Sequence, residues 1–469
     1  MSKRSLGTSI VLLAILTLAL AAIPAVADSQ VRIVRLSNVE GTVQVDRNTG
    51  QGYENAFLNM PIVEGMKLAT KDEGRAEVEF EDGSTVRITP KSTLEFTALT
   101  LRDSGSRVSA LILRTGQAYV NYFAKQQDDQ FTLAFSNETV LLSRPAHFRL
   151  DVEASDAVVA VFKGDLQVQS PSGNVDLSKN NSVTFDLLAG DKYTVAKNIE
   201  EDPFDAWDKQ QTKYQQEYAS KGSNNNYPYG YGVSDLNYYG SYSNIPGYGL
   251  MWQPYFTGVG WSPFADGAWM FYPGFGYTWV SAYPWGWMPY RYGSWAYVPG
   301  YGWGWAPGGF GGGWYTVPQL TNPPNRFPAP RPPQQGSATV VVGHPVVTAG
   351  GPPRRVLVQN GTAGLGIPRG TVSNLGKVSH EVQRSGFATV RTAPPSRSMS
   401  SPVYGSSAPS ESHGSTGASR ASSGSSSAGH VSSGSGHVSS GSGHVSGGGA
   451  ARMGGGSSGG HSAPPSRPR

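Results

Sequence analysis

The chain contains no cysteine among its 469 residues. That excludes a disulfide scaffold, a thiol nucleophile and a Cys-ligated metal. Charge is nearly missing from residues 222–320, where Asp235, Asp266 and Arg291 are the ionisable side chains besides tyrosine. Acids are scarce beyond that point: residues 321–469 hold 13 Lys/Arg against Glu381 and Glu411. Residues 28–220 hold 20 Lys/Arg against 29 Asp/Glu, a net charge of −9. The overall +4 therefore divides into an acidic front and a basic tail. Such a tail can touch acidic headgroups, acidic glycans or the chain's own front, or serve only to keep the segment in solution.

Familiar reaction motifs are missing too. The sequence has no phosphate-binding loop, dinucleotide glycine fingerprint, H-E-x-x-H or G-x-S-x-G. His147 is the single histidine of the front and lies beside Phe148 on an expected strand, a position typical of a structural His. Asp46 to Glu54 lacks the oxygen spacing of a calcium loop. No cofactor and no metal site is expected, and nucleic acid is not expected as a partner because the basic tail is nearly free of aromatics.

What is present begins with Lys3 and Arg4, an apolar run from Ile10 to Ile23, and Ala25-Val26-Ala27 before Asp28. This is the pattern of a secretory signal peptide over 1–27, cut after Ala27. The run is short for a spanning helix, which needs about 20 apolar residues, and no later segment reaches that length. The mature chain is expected to be secreted or periplasmic, with no transmembrane helix.

Residues 31–198 read as β throughout. Val31 to Leu36, Gly41 to Val45, Arg75 to Phe80 and Ser84 to Ile88 alternate apolar and polar. Asp82-Gly83 reads as a two-residue hairpin turn. Ser109 to Val120 reads as two strands broken at Thr115-Gly116, and further strands follow to Phe185. The fold class is all-β, a sandwich, barrel or stacked roll.

Within it, Gly74-x-Ala76-x-Val78-x-Phe80-x-Asp82-Gly83-Ser84-x-x-Arg87-Ile88-x-Pro90-x-Ser92 resembles the FecR domain. The run Phe148-x-Leu150, then Val159-x-Val161-x-Lys163-Gly164-x-Leu166-x-Val168, looks like its second half, over roughly 39–190 in all. Pro145-Ala146-His147 stands where the family usually has Gly-Thr before the Phe. Signalling members of the family are membrane-bound anti-sigma regulators with a cytoplasmic segment. This chain has only a few residues before its apolar run. The resemblance therefore implies an extracytoplasmic β module making protein or envelope contacts.

A closing helix is expected over 202–219, with Asp202 as N-cap and Pro203 in the first turn. Phe204, Trp207, Gln211, Tyr214 and Tyr218 share its docking face. Residues 221–229 read as a linker.

Residues 230–315 repeat. Gly267-Ala268-Trp269 with Pro273-Gly274-Phe275-Gly276-Tyr277-Thr278-Trp279 returns 26 residues later as Gly293-Ser294-Trp295 with Pro299-Gly300-Tyr301-Gly302-Trp303-Gly304-Trp305. A looser copy precedes them at Gly240-Ser241-Tyr242, Pro246-Gly247-Tyr248-Gly249 and Trp252. Each unit reads as a β-hairpin, and three hairpins as one small antiparallel meander paved with aromatics. The rings either form the core of an aliphatic-poor module or stay exposed and stack on a partner. On the second reading Trp261, Trp269, Trp279, Trp287, Trp295 and Trp305 are the contact residues. The unit is similar to an uncharacterised Trp/Gly-rich repeat family found downstream of FecR domains in secreted bacterial proteins.

Residues 320–469 are Pro-, Gly- and Ser-rich and are expected to be a disordered basic tail. Short Val/Leu patches at 338–348 and 355–391 suggest transient strands. His430, His437 and His444 recur every seven residues, without acidic companions that would make a metal site. The combined expectation is a non-enzymatic binding or scaffolding protein of the bacterial envelope, with an envelope protein or glycan as partner. The alternative is a FecR-type sensor answering to an envelope partner.

Overall fold

The computed structural model describes residues 32–102, 104–124, 128–221, 227–311, 313–344 and 355–392. The expected signal peptide, the segment 393–469 and its three spaced histidines lie outside the described residues.

Residues 34–196 form 17 strands. They are β1 (Val34–Glu40), β2 (Val43–Asp46), β3 (Tyr53–Asn55), β4 (Pro61–Ile62), β5 (Lys67–Thr70), β6 (Arg75–Glu79), β7 (Thr85–Ile88), β8 (Thr93–Leu101) and β9 (Arg107–Tyr122). There follow β10 (Gln130–Phe135), β11 (Glu138–Leu142), β12 (Ala146–Val152), β13 (Asp156–Lys163), β14 (Asp165–Gln169), β15 (Val175–Ser178), β16 (Ser182–Asp186) and β17 (Lys192–Ala196). One sheet runs β4-β1-β6-β7-β9-β12-β13-β16-β17 and the other β3-β2-β5-β8-β9-β10-β11-β14-β15. All pairings are antiparallel except β9 with β10. Inward residues such as Val45, Leu68, Val78, Leu113, Phe135, Phe148 and Val161 pack between the sheets as one apolar core. That is the half-buried alternation expected of a two-layer β fold.

Two local expectations change. Thr115-Gly116 does not end a strand. Gly116, at φ 83°, bends β9 so that its first half pairs with β8 and β10 in one sheet and its second half with β7 and β12 in the other. Asp82-Gly83 belongs to a three-residue loop, with Phe80 N–H donating to Ser84 O at 2.8 Å and Gly83 at φ 89°. This is a hairpin closed by a left-handed glycine bulge.

Helix α1 (Asp205–Ala219) starts three residues later than expected, because the Asp202 carboxylate caps Phe204 N–H at 2.7 Å in a turn before the helix. Trp207, Gln211, Tyr214 and Tyr218 are buried, and Asp208 and Gln215 with them.

The repeats form three hairpins as expected: β18 (Gly240–Ile245) with β19 (Gly249–Pro254), β20 (Gly267–Tyr272) with β21 (Gly276–Ser281), and β22 (Ser294–Val298) with β23 (Gly302–Ala306). Their register explains the repeat. The third-position aromatic faces the last tryptophan across each hairpin, as Tyr242 with Trp252, Trp269 with Trp279 and Trp295 with Trp305. The leading Gly240, Gly267 and Gly293 lie against those same last tryptophans, where a Cβ would collide with the ring. Pro246, Pro273 and Pro299 precede Gly247, Gly274 and Gly300 at φ 80–82°, the residue pair of a type II turn.

The hairpins do not form one meander. The first and third share a sheet, β18-β19-β23-β22-β24 with β24 at Leu320–Thr321. The second belongs to another, β21-β20-β25 with β25 at Val340–Val342. The second hairpin lies between two cores: Ala268, Met270, Tyr272 and Val280 join the front core, while Trp269 and Trp279 join the aromatic one. Its two faces are thus both buried, and this removes it from the row.

Helices α2 (Val233–Tyr239) and α3 (Met288–Arg291) flank the hairpins. Residues 320–344 and 355–392 depart from the expected disorder. Beyond β24 and β25 they contain β26 (Arg355–Gln359), α4 (Leu375–Ser385) and β27 (Phe387–Arg391). Val356, Val358, Ile367, Val372, Leu375, Val382 and Ala388 enter the aromatic core. The few apolar residues of the segment are buried against the aromatic core, a burial that composition read segment by segment does not reveal. Among the described residues no helix is long and apolar enough to cross a membrane.

Candidate functional site

The six tryptophans proposed as contacts are not a surface. Trp279, Trp287, Trp295 and Trp305 are fully buried, Trp269 is 2% exposed and Trp261 9% exposed. Trp261, Trp285 and Trp295 pack edge to face or tilted with centroids 5.8–6.2 Å apart, the packing of a core. Arg291 sits among them without an acid. It donates to Trp279 O at 2.7 Å and Tyr315 O at 3.2 Å and lies over the Trp287 and Trp314 rings. Burial pushes this guanidinium down to about 10.

The densest chemistry lies where the β layers meet the rest of the chain. The alternation that points Ala76 and Val78 into the front core points Glu77 and Glu79 to the opposite face. Register sets Arg35 across from Glu79 and Arg87 across from Glu77. In a half-exposed sheet these would be surface pairs, but here α1, α2 and the 367–372 loop cover them.

Arg35 bonds Glu79 at 3.1 Å and Asp235 at 2.7 Å. Arg87 bonds Glu77 at 2.7 Å and Asp208 at 2.6 Å. Arg369 reaches Glu77 at 2.6 Å and Asp235 at 3.1 Å. His147 Nε2 lies 2.8 Å from Asp208. Tyr214 O–H donates to Asp235 at 2.7 Å and Ser37 O–H to Glu77 at 2.6 Å. The three arginines face four carboxylates, and their side chains are at most 8% exposed.

The carboxylates respond differently. Burial raises Glu77, but Arg369 and Arg87 outweigh it and hold the group down to about 2. Burial also raises Glu79; Arg35 opposes this, yet Asp235 and Glu77 add to it, and the group is pushed up to about 7. The network thus carries one acid more than its arginines, and Glu79 is the one poised to take up a proton.

Sequence reasoning did not find this joint. Glu77 and Glu79 stood in the motif as unnamed positions between apolar ones, Arg87 was named in it without a role, and Arg369 stood in a segment read as tail. Alternating acids opposite basic residues on neighbouring strands were the available signal.

At the rim of the joint lies a cleft of about 350 Å³. One wall is charged. Arg32 binds Glu81 through two bonds of 2.8 Å, and Arg107 lies beside them. The other wall is aromatic, with Tyr229, Tyr231, Tyr292, Phe310 and Trp314. Tyr229 stacks on Tyr231 and Tyr292 with centroids 5.6 and 5.1 Å apart. The Tyr231 and Tyr292 hydroxyls share a buried hydrogen bond of 2.7 Å. Among the described residues no group of three or more His, Cys, Asp or Glu is placed to hold a metal ion.

Comparison with known proteins follows the same division of the chain. Residues 66–167 match the family described as FecR protein. Residues 233–323 match a family of unknown function, DUF6600. The chain therefore carries a FecR-type segment followed by a DUF6600 segment. No curated protein matches. Two crystal structures, at 2.50 and 1.65 Å, of a candidate anti-sigma factor from Parabacteroides distasonis are similar at 15% and 17% identity, with TM-scores of 0.25 and 0.26. The similarity spans 28% and 30% of this chain and 59% and 63% of those chains, less than two thirds of their length.

Proposed function

We propose that this chain is a non-enzymatic binding or scaffolding component of the bacterial cell envelope, exported through the signal peptide at 1–27. The carrying observation is the sealed joint. Its ionisable groups are committed to one another at 2.6–3.1 Å and closed to a substrate. They bind β6, β7, α1, α2 and the 367–372 loop into one compact unit. A body locked in this way suits holding a partner in fixed geometry better than turning a substrate over, and the cleft at its rim is the open surface that fits such a role. The FecR match over 66–167 supports envelope contacts and also favours a second reading, a sensor in a signalling chain.

Fractionation of cells expressing the full chain, with the N-terminal mass of the mature protein and co-sedimentation with purified envelope fragments, tests the proposal. A chain beginning at Asp28 that sediments with the fragments is expected. A chain that stays in the cytoplasm with its first 27 residues attached would overturn it. Deletion that alters transcription while leaving envelope association dispensable would favour the sensor.

A further inference from the structure

The rim cleft is not explained by the packing of the two cores. We propose that it is a saccharide site that takes a pyranose ring of a neutral or N-acetylated glycan. This rests on the reading of the chain as an envelope-binding protein and supplies its ligand class.

Three observations carry it. First, the cleft is divided: half-buried Tyr229, Phe310 and Trp314 face Arg32, Glu81 and Arg107. A pyranose has the same division, with an apolar C–H face and a rim of hydroxyls, so one ring satisfies both walls.

Second, the charged wall is made of pairs. Arg32 and Glu81 are joined at 2.8 Å, and Arg107 is paired at 3.5 Å with Asp129, which does not itself line the cleft. A paired wall offers little net attraction to an anion or a cation. Hydroxyls can donate to a carboxylate and accept from a guanidinium, and they suit such pairs.

Third, the aromatic wall is fixed in advance. Tyr292 packs on Phe310 at 5.3 Å, and the Tyr231–Tyr292 hydroxyl bond is buried, so little side-chain freedom is lost on binding. A volume of about 350 Å³ stands at the small end of ligand sites, room for one or two rings of a chain that continues outside.

The test uses the full mature chain, with chitotriose and maltotriose as probes and inorganic phosphate and a tyrosine-containing peptide as competitors of other classes. Binding is read by calorimetric titration and saturation-transfer NMR. Saturable binding of at least one trisaccharide is expected. Phe310→Ala and Arg107→Gln should each weaken it about tenfold or more, whereas Tyr301→Ala, an exposed ring at a hairpin tip, should leave it unchanged. Melting curves identify a variant that fails to fold; the other then decides. No saccharide binding, binding that survives both substitutions, or binding of phosphate or peptide alone would overturn the proposal. Co-sedimentation with envelope fragments but no trisaccharide binding would sink this inference and leave the scaffold reading intact.

Discussion

At the scale of single residues, the joint turns pH into stability through two adjacent carboxylates of opposite behaviour. Glu79 is raised to about 7 in the folded chain from an ordinary value of 4.5. Its contribution is complete below pH 4.5 and is lost as pH rises through 7. Glu77 is lowered to about 2; its contribution is present above 4.5 and is lost as pH falls toward 2. Unfolding in urea should therefore show stability falling between pH 5 and 7.5, by on the order of 2 kcal/mol from Glu79 alone. Glu79→Gln keeps an acceptor for Arg35 and for Gly232 N–H, now 3.1 and 3.0 Å away. It should flatten that decline and leave the acid side unchanged. An unaltered slope in the variant would show that Glu79 does not titrate in this range.

At the scale of elements, the repeat was the most legible part of the chain. Pro-Gly placed the turns, and the 26-residue shift placed the strands. The leading glycine makes room for the last tryptophan of its own unit, so Gly267→Ala should cost about 1–3 kcal/mol by forcing a Cβ to within 2.5 Å of the Trp279 ring. Gly274→Ala, at a turn with open space around it, should cost only about 1 kcal/mol for its left-handed backbone. Thermal melts of the two variants give the comparison, and equal losses would refute the packing account. The arrangement of the hairpins was not legible, because strand alternation states that a face is apolar but not which core covers it. Met270 and Trp269 read alike in sequence and enter different cores. The same limit hid β9, where Gly116 looked like an end and is a bend between sheets.

At the scale of the whole molecule, the sequence divides where the folded chain does not. Changes of composition near 200, 230 and 320 suggested modules joined by linkers, and they do mark where strands give way to helix and to aromatic hairpins. Burial across those boundaries was invisible, because it depends on pairs as distant as Glu77 with Arg369 and Arg35 with Asp235. For the same reason the rings first considered as contacts are interior. The cleft draws its aromatic side from residues outside that set and its charged side from another region of the chain.

The central claim is that the FecR-type β layers and the aromatic hairpins unfold as one body held through the buried charges. Scanning calorimetry of the chain beside Arg369→Met tests it most directly. Removing one partner of a buried pair costs about 3–5 kcal/mol. The account predicts one cooperative transition whose calorimetric and van't Hoff enthalpies agree, shifted as a whole to lower temperature in the variant. Two separate transitions, or a shift confined to a minor one, would contradict it.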